Sequence, residues 1–336
     1  MSKTWSVIVP TCRPDKFCFF LSSWLDLFKK HNVVLYVVED NKIVSKDIEK
    51  ALKRSGLNYY HFTHKDLPWF VPTGTDMIRS FGILQAYKNN VIDYCMTLDD
   101  DVLPESDYGV DIFDEYAQVF EVGSPYSSFF DVGGLTNEFT FMRGFPYSAR
   151  NRKEVAVQYG GWSKNLDLNA VDQFVKNEEK DQNSYFFTSK ITVPAGSLTT
   201  TCAMNMAWQN EYSPIMWQLP MIDGFYNRIG DIWSGLFIKK VLDANTLTMV
   251  INGGALVVHS RASDPFSNLK KEVLSLDINE DLWETLNSYE LRPSGNIIHS
   301  YRDITNVAFR VFSKYNLTYA NHFLKARNEW IEACLG

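Results

Sequence analysis

The chain has 336 residues, 45% apolar and 15% aromatic, enough for one large domain or two modest ones with a full core. Lys and Arg number 33 against 40 Asp and Glu, a formal net charge of -7, which argues against a non-specific duplex binder and makes nucleic acid an unlikely partner. Five scattered cysteines without a CxxC pair, a polar start unlike a signal peptide, and no apolar run near the roughly 20 residues that span a bilayer point to a cytoplasmic protein without a membrane span.

Ser6–Pro10 reads as a short buried strand stopped by Pro10. Cys18–Lys30 carries a helical stripe of Phe20, Trp24, Leu27 and Phe28. Val33–Val38 is a continuous β-branched and aromatic run ending in Glu39-Asp40, as suits a sheet covered on both faces. Ser45–Arg54 reads as a helix with Gly56 as its stop, and Tyr59–Phe62 as the next strand. Asp76–Lys88 is helical, and Tyr94–Leu98 is a strand running into Asp99, Asp100 and Asp101. This β-α-β-α-β-α-β order predicts an α/β sheet with crossover helices, whose ligands collect at the carboxyl ends of the strands.

Residues 105–245, rich in aromatics and glycine, read as loops and mixed strands covering a pocket. Leu247–His259 reads as two strand-like runs around Gly253-Gly254. Gly133-Gly134, Gly160-Gly161 and Gly253-Gly254 read as turns. Helical patterns follow at Val273–Leu286, Tyr301–Tyr315 and Asn321–Cys334. The expected organisation is one α/β body over residues 1–271 with a helical C-terminal extension over 272–336 packed on it.

Strand alternation predicts Asp99 and Asp101 on one face and Asp100 on the other. Two carboxylates at a strand end can hold Mn²⁺ or Mg²⁺, which neutralises a diphosphate leaving group. A solvated acidic turn is the plainer alternative. His259, closing the apolar run Ala255–Val258, is a further candidate ligand. Asp40 lies at the end of the second strand. Arg143 and Arg150 flank a turn, where they either bind a diphosphate, as guanidinium groups suit, or are surface charge; Arg79 precedes the acidic strand, where it either reaches a phosphate or pairs with a neighbouring carboxylate. Trp24, Phe81 and Trp233 read as core, and Trp69 and Trp162 as packing residues that could also stack on a ligand. No P-loop, GxGxxG or GxSxG motif is present. Asn316-Leu317-Thr318 matches a glycosylation acceptor that stays idle without secretion.

Several blocks taken together resemble the plant reversibly glycosylated polypeptides, the UDP-arabinopyranose mutases. They are Thr97 to Asp101, the two-arginine segment Phe141 to Arg150, Pro194 to Leu198 with Cys202 to Asn205, Arg228 to Gly235, His259 to Glu272, and Trp330 to Ala333. The resemblance implies a nucleotide-sugar transferase fold of the A type, a Rossmann-like mixed sheet flanked by helices. It also implies a divalent metal and interconversion of UDP-arabinopyranose and UDP-arabinofuranose, with self-glycosylation on arginine. Carried over, Arg143 is the glycosylated arginine and Arg150 the second essential one. Asp99, Asp100 and Asp101 serve UDP and metal, with His259 a metal ligand; Arg79 and Asp40 are placed with the nucleotide. Where the resemblance implies two aspartates, this chain has Gly230-Asp231, leaving Asp231 as the candidate base or sugar-hydroxyl acceptor.

Two other readings stand beside the mutase. One is transfer of arabinose or another sugar from a UDP-sugar to a polysaccharide, a protein or modified DNA. The other is a UDP-sugar-binding scaffold without turnover. The sequence leaves the oligomeric state open, a homo-oligomer included.

Overall fold

The computed structural model describes residues 3–106, 109–130, 141–165, 167–179, 190–222, 226, 228–260 and 264–336. Gly133-Gly134, and Arg261 to Ser263 of the long family block, lie outside the described residues. The strands are β1 (Trp5–Thr11), β2 (Val34–Glu39), β3 (Asn58–Thr63), β4 (Tyr94–Leu98), β5 (Val102–Pro104), β6 (Ser124–Pro125), β7 (Arg152–Lys153), β8 (Val155–Lys164), β9 (Lys190–Thr192), β10 (Asn205–Gln209) and β11 (Thr248–His259). The main sheet runs β3-β2-β1-β4-β10-β8-β11-β5, with β9 on β11. Its first four strands are parallel, and β10 breaks the pattern by running antiparallel to both β4 and β8.

The crossovers are α1 (Pro14–Lys30), α2 (Lys46–Ser55) and α3 (Arg79–Tyr87), the last preceded by a single 3-10 turn, Asp76–Ile78. α1 begins a turn earlier than the apolar stripe suggests, because Pro14 occupies its first position, where a missing N–H costs nothing. α2 ends on Gly56 at φ 71°, the left-handed stop its residue type allows. β1, β2 and β4 are buried throughout, which explains their unbroken apolar runs.

The stretch read as loops and strands also holds two sizeable helices, α4 (Ile112–Val122) and α6 (Gly230–Ala244). α6 is buried on nearly every side, so it has no polar face to set a helical period. α5 (Ala170–Glu179) follows β8. β11 is one strand, and the register shift between Asn252 and Val257 makes Gly253-Gly254 a bulge instead of a turn. Gly160-Gly161 is likewise inside a strand: a Cβ on Gly160 would overlap the Asn205 amide and the Tyr116 hydroxyl, so close packing is the reason for glycine.

The tail comprises α7 (Pro265–Glu272), α8 (Leu276–Ser288), α9 (Ile297–Tyr315) and α10 (Leu317–Leu335). Trp330 Nε1 donates to Pro214 O at 2.8 Å, and Phe323 lies against Trp217. One apolar cluster runs from Trp5 to Cys334, and Trp24, Phe81 and Trp233 belong to it.

Candidate active site

The carboxyl ends of β1, β2 and β4 meet the first turn of α6 and the end of β11 at one edge of the sheet. β4 ends at Leu98, and Val102 N–H donates to Asp99 O at 3.1 Å, so the three aspartates form a turn. Strand alternation therefore no longer governs them. Asp100 and Asp101 share one guanidinium and Asp99 meets another, which corrects the expected pairing of Asp99 with Asp101.

The shared guanidinium is Arg13, a residue the sequence reading passed over. It grips both oxygens of Asp100 and donates to Asp101 Oδ2 at 2.9 Å, while the Thr11 hydroxyl donates to Asp100 Oδ2 at 2.7 Å. Burial pushes the Asp100 carboxyl up, against the opposing pull of Arg13 and Thr11. The available signal was position: Arg13 stands two residues beyond the end of β1, where ligands gather in such sheets. Asp40 N–H donates to Thr11 O at 2.9 Å, aligning the ends of β1 and β2, and its carboxylate accepts from Gly74 N–H.

Arg79 is 1% exposed and already committed. Its Nε donates to Asp76 O at 3.1 Å and Nη1 to Ala203 O at 2.7 Å. Nη2 bridges Asp76 Oδ2 and Asp99 Oδ1, at 3.1 and 2.7 Å. Of the two roles expected of Arg79, phosphate contact and pairing with a neighbouring carboxylate, the structure shows the second, an internal brace that orients Asp99. Ala203, whose carbonyl also accepts from Thr97 Oγ1 at 2.6 Å, donates its N–H to Asp231 Oδ2 at 3.1 Å. Burial, then the charges of Asp76 and Asp167, push the Asp231 carboxyl up to about 7.

His259 pairs in register with Val102, the residue after the acidic turn, and Ser260 donates its N–H and hydroxyl to Asp101 O at 3.1 and 2.6 Å. The His259 ring places Nδ1 2.6 Å from Asn165 O. A carbonyl can only accept, so Nδ1 donates to it, and Nε2 is the ring nitrogen left to face a ligand. Carboxylates with one imidazole nitrogen are donors suited to Mn²⁺, so the residues fit a divalent cation in chemistry. They are not gathered as a ready triad. Among the described residues, the His, Cys, Asp and Glu ligand atoms grouped within 4.8 Å are those of His31, Asp111 and Asp114, where Lys30 already pairs with both aspartates.

The two-arginine segment attaches elsewhere. Arg150 leads into β7, which pairs with β6 just before the start of β8, whereas His259 lies opposite the last residue of β8. A ten-residue strand spans about 30 Å, so this anchorage is at the far end of the sheet. Arg150 donates to Phe145 O at 3.1 Å and stacks on Tyr147 and Phe141, 3.7 and 5.1 Å from the ring centroids. Arg143 is exposed beside Gly144, which has φ 100°. The described contacts do not bring either arginine to the acidic turn. Trp162 is buried in β8, and Trp69 is half exposed beneath Lys325 Nζ.

This strand order and the reversal at β10 define an α/β fold, a mixed sheet flanked by helices with an acidic turn at the end of β4 and a helical C-terminal region. Residues 2–335 match the family described as Reversibly glycosylated polypeptide, and the chain belongs to that family. It is 30% identical over 291 residues to UDP-arabinopyranose mutase 1 of Oryza sativa subsp. japonica, covering 82% of this chain and 75% of that one. It is 28% identical over 342 residues to UDP-arabinopyranose mutase 1 of Arabidopsis thaliana, covering 97% and 91%. Among solved structures it is similar to S. aureus TarS 1-349 in complex with UDP-GlcNAc, with TM-score 0.45, 13% identity, and 98% and 81% of the two chains covered. The mannosyltransferase PcManGT from Pyrobaculum calidifontis in complex with GDP-Man and Mn²⁺ gives TM-score 0.45 and 10% identity over 98% and 85%.

Proposed function

We propose that the chain is a UDP-arabinopyranose mutase, binding its nucleotide sugar at the carboxyl edge of β1, β2 and β4. The observation that carries this reading is the acidic turn at Asp99–Asp101, set between Arg13 and the brace of Arg79 and Ala203 that leads to Asp231. Asp99, Asp101 and His259 are the residues that would hold Mn²⁺ or Mg²⁺ once Arg13 and Arg79 yield their carboxylates, and Asp40 and Asp100 would line the nucleotide. The cation, when bound, neutralises diphosphate charge. Arg13 adds positive charge at the same place, stabilising UDP as the C1–O bond breaks with its electron pair passing to the diphosphate.

Ring exchange then requires a proton to leave sugar O4 as it bonds C1, and one to reach O5 as it leaves C1. Asp231, with a pKa of about 7, can both accept and return a proton at neutral pH before UDP recaptures C1. Arg143, exposed on its turn, is the proposed self-glycosylation acceptor, and Arg150 orders the segment by stacking. A homo-oligomer would allow one copy's site to meet another's Arg143. Residues 272–336 act as a helical extension on the catalytic body. The five cysteines, none of them in a disulfide, support a cytoplasmic setting, and no helix among the described residues is long and apolar enough to cross a membrane.

Incubation with UDP-arabinopyranose and Mn²⁺, followed by separation of the nucleotide sugars, is expected to yield the furanose form and to lose it on chelation. UDP-sugar bound without any furanose product overturns the assignment.

A further inference from the structure

A small cavity lies against the first turn of α6. It is lined by Asp231 and Ser234 of that helix, by Gln218, and by Thr97 of β4 and Thr201, with mostly apolar side chains closing the rest. The segment carrying Gln218 lies on the same turn. Leu219 N–H donates to Gly230 O at 3.5 Å, and Trp217 O is 3.1 Å from Ser234 Oγ. Gln218 N–H donates to Ser80 Oγ at 3.3 Å, which ties its backbone to α3. Gln218 is 5% exposed, and its buried Oε1 has no hydrogen-bond partner among the described residues. The hydroxyls on the same wall have spent their hydrogens. Thr97 Oγ1 donates to Ala203 O at 2.6 Å, Thr201 Oγ1 to Asp231 O at 3.0 Å, and Ser234 Oγ to Gly230 O at 2.6 Å. These atoms therefore present lone pairs to the cavity. Asp231 is their complement. Its Oδ2 and Oδ1 already accept from the N–H of Ala203 and Ile232, at 3.1 and 3.0 Å, so a proton on the carboxyl needs an acceptor of its own. A buried acceptor without a donor is costly, and a water relieves it where the cavity is polar and large enough. This cavity has room for a single water molecule.

We propose that this cavity binds one structural water that links Asp231 to Gln218, which makes Gln218 a positioning residue for the Asp231 carboxyl. The proposal rests on the UDP-sugar reading above and deepens it. With Asp231 protonated, the water accepts the carboxyl hydrogen and donates one of its own to Gln218 Oε1. Once Asp231 has given its proton up, the water turns a hydrogen to the carboxylate and keeps the other on Gln218. The carboxyl is thus held in one orientation through both halves of the proton exchange between O4 and O5. The charges of Asp76, Arg79 and Asp167 bear on Asp231, and the Tyr159 phenol and Cys202 thiol feel Asp231 in turn. None of these five lines the cavity, so a change at Gln218 leaves them in place.

The test has two arms. A crystal structure of the full wild-type chain should show an ordered water within about 3 Å of both the Asp231 carboxyl and the Gln218 amide oxygen. A dry cavity, or a water bound to only one of the two, overturns the proposal. The second arm compares the wild type with Gln218→Met, which keeps the length of the side chain and removes the acceptor, and with Gln218→Asn, which keeps an amide. UDP affinity in Mn²⁺, kcat, KM and the pH profile are measured for each. For Gln218→Met, UDP affinity stays within about twofold and kcat falls about tenfold. The limb of the profile governed by Asp231 moves to higher pH, because an apolar wall without the water desolvates the carboxylate further. Gln218→Asn recovers most of the rate and the original limb. An unchanged rate and profile in Gln218→Met overturns the proposal, and so does an equal loss of UDP affinity, which marks a merely structural role. If the wild type yields no furanose form, the mutase reading falls, and the crystal structure still decides the water site.

Discussion

Asp231 is a desolvated carboxylate that also feels the charges of two other acidic groups, Asp76 and Asp167. It sits in the first turn of α6, where backbone N–H groups favour an anion, and accepts from the N–H of Ile232 and Ala203. Burial, Asp76 and Asp167 outweigh that help. The folded chain therefore holds a proton that the unfolded chain releases between about pH 4 and about pH 7, and stability falls as pH rises through that window. Thermal melts across this range should slope downward for the wild type and more weakly for Asp231→Asn. The same variant should bind UDP within about twofold and lose 10²- to 10⁴-fold in kcat, a range ordinary for removal of a general acid–base group. Retained turnover would show that Asp231 carries no proton for the reaction.

Among the described α-helices, the join between α9 and α10 is the shortest, a single residue. Asn316 leaves α9 in an extended conformation and caps α10, its Oδ1 accepting from Tyr319 N–H at 2.9 Å. The side chain that matches a glycosylation acceptor is therefore occupied as a helix cap. Asn316→Ala should cost about 1 kcal/mol in denaturant unfolding, with activity per folded molecule unchanged. The acidic turn shows a second lesson at this scale. β4 stops at Leu98, so a face rule that holds through Tyr94–Leu98 fails for the next three residues, and hydrogen bonding to Arg13 and Arg79 decides their directions instead.

For the molecule as a whole, the tail is built into the same interior as the sheet. Phe323, Trp330 and Ile331 of α10 are fully buried, and α9 lies on α6, whose first turn carries Asp231. Burying one such aromatic contributes roughly 1.5–3 kcal/mol, a large share of a net stability of about 5–15 kcal/mol. Removal of residues 317–336 should therefore yield an aggregating chain without a cooperative melt. A soluble truncated chain that still binds UDP would instead show that the sheet body folds alone.

The amino-acid sequence determined the elements that repeat a local period: the buried strands of the amino-terminal half, their crossover helices, and the late helices. It also determined that an acidic cluster lies at a strand end, because an apolar run followed by aspartates needs no distant partner to be read. His259 was legible as the close of an apolar run, and the family blocks added the lone Asp231. Tertiary structure alone decided which groups face one another. Arg13 lies 87 residues from its partner Asp100; Arg79 is consumed by contacts 20 and 124 residues away; Asp167 approaches α6 through Arg228. The physical reason is that periodicity reports which face of an element is buried, whereas a charge takes its role from whatever the fold brings within a few ångströms, and that carries no periodic mark.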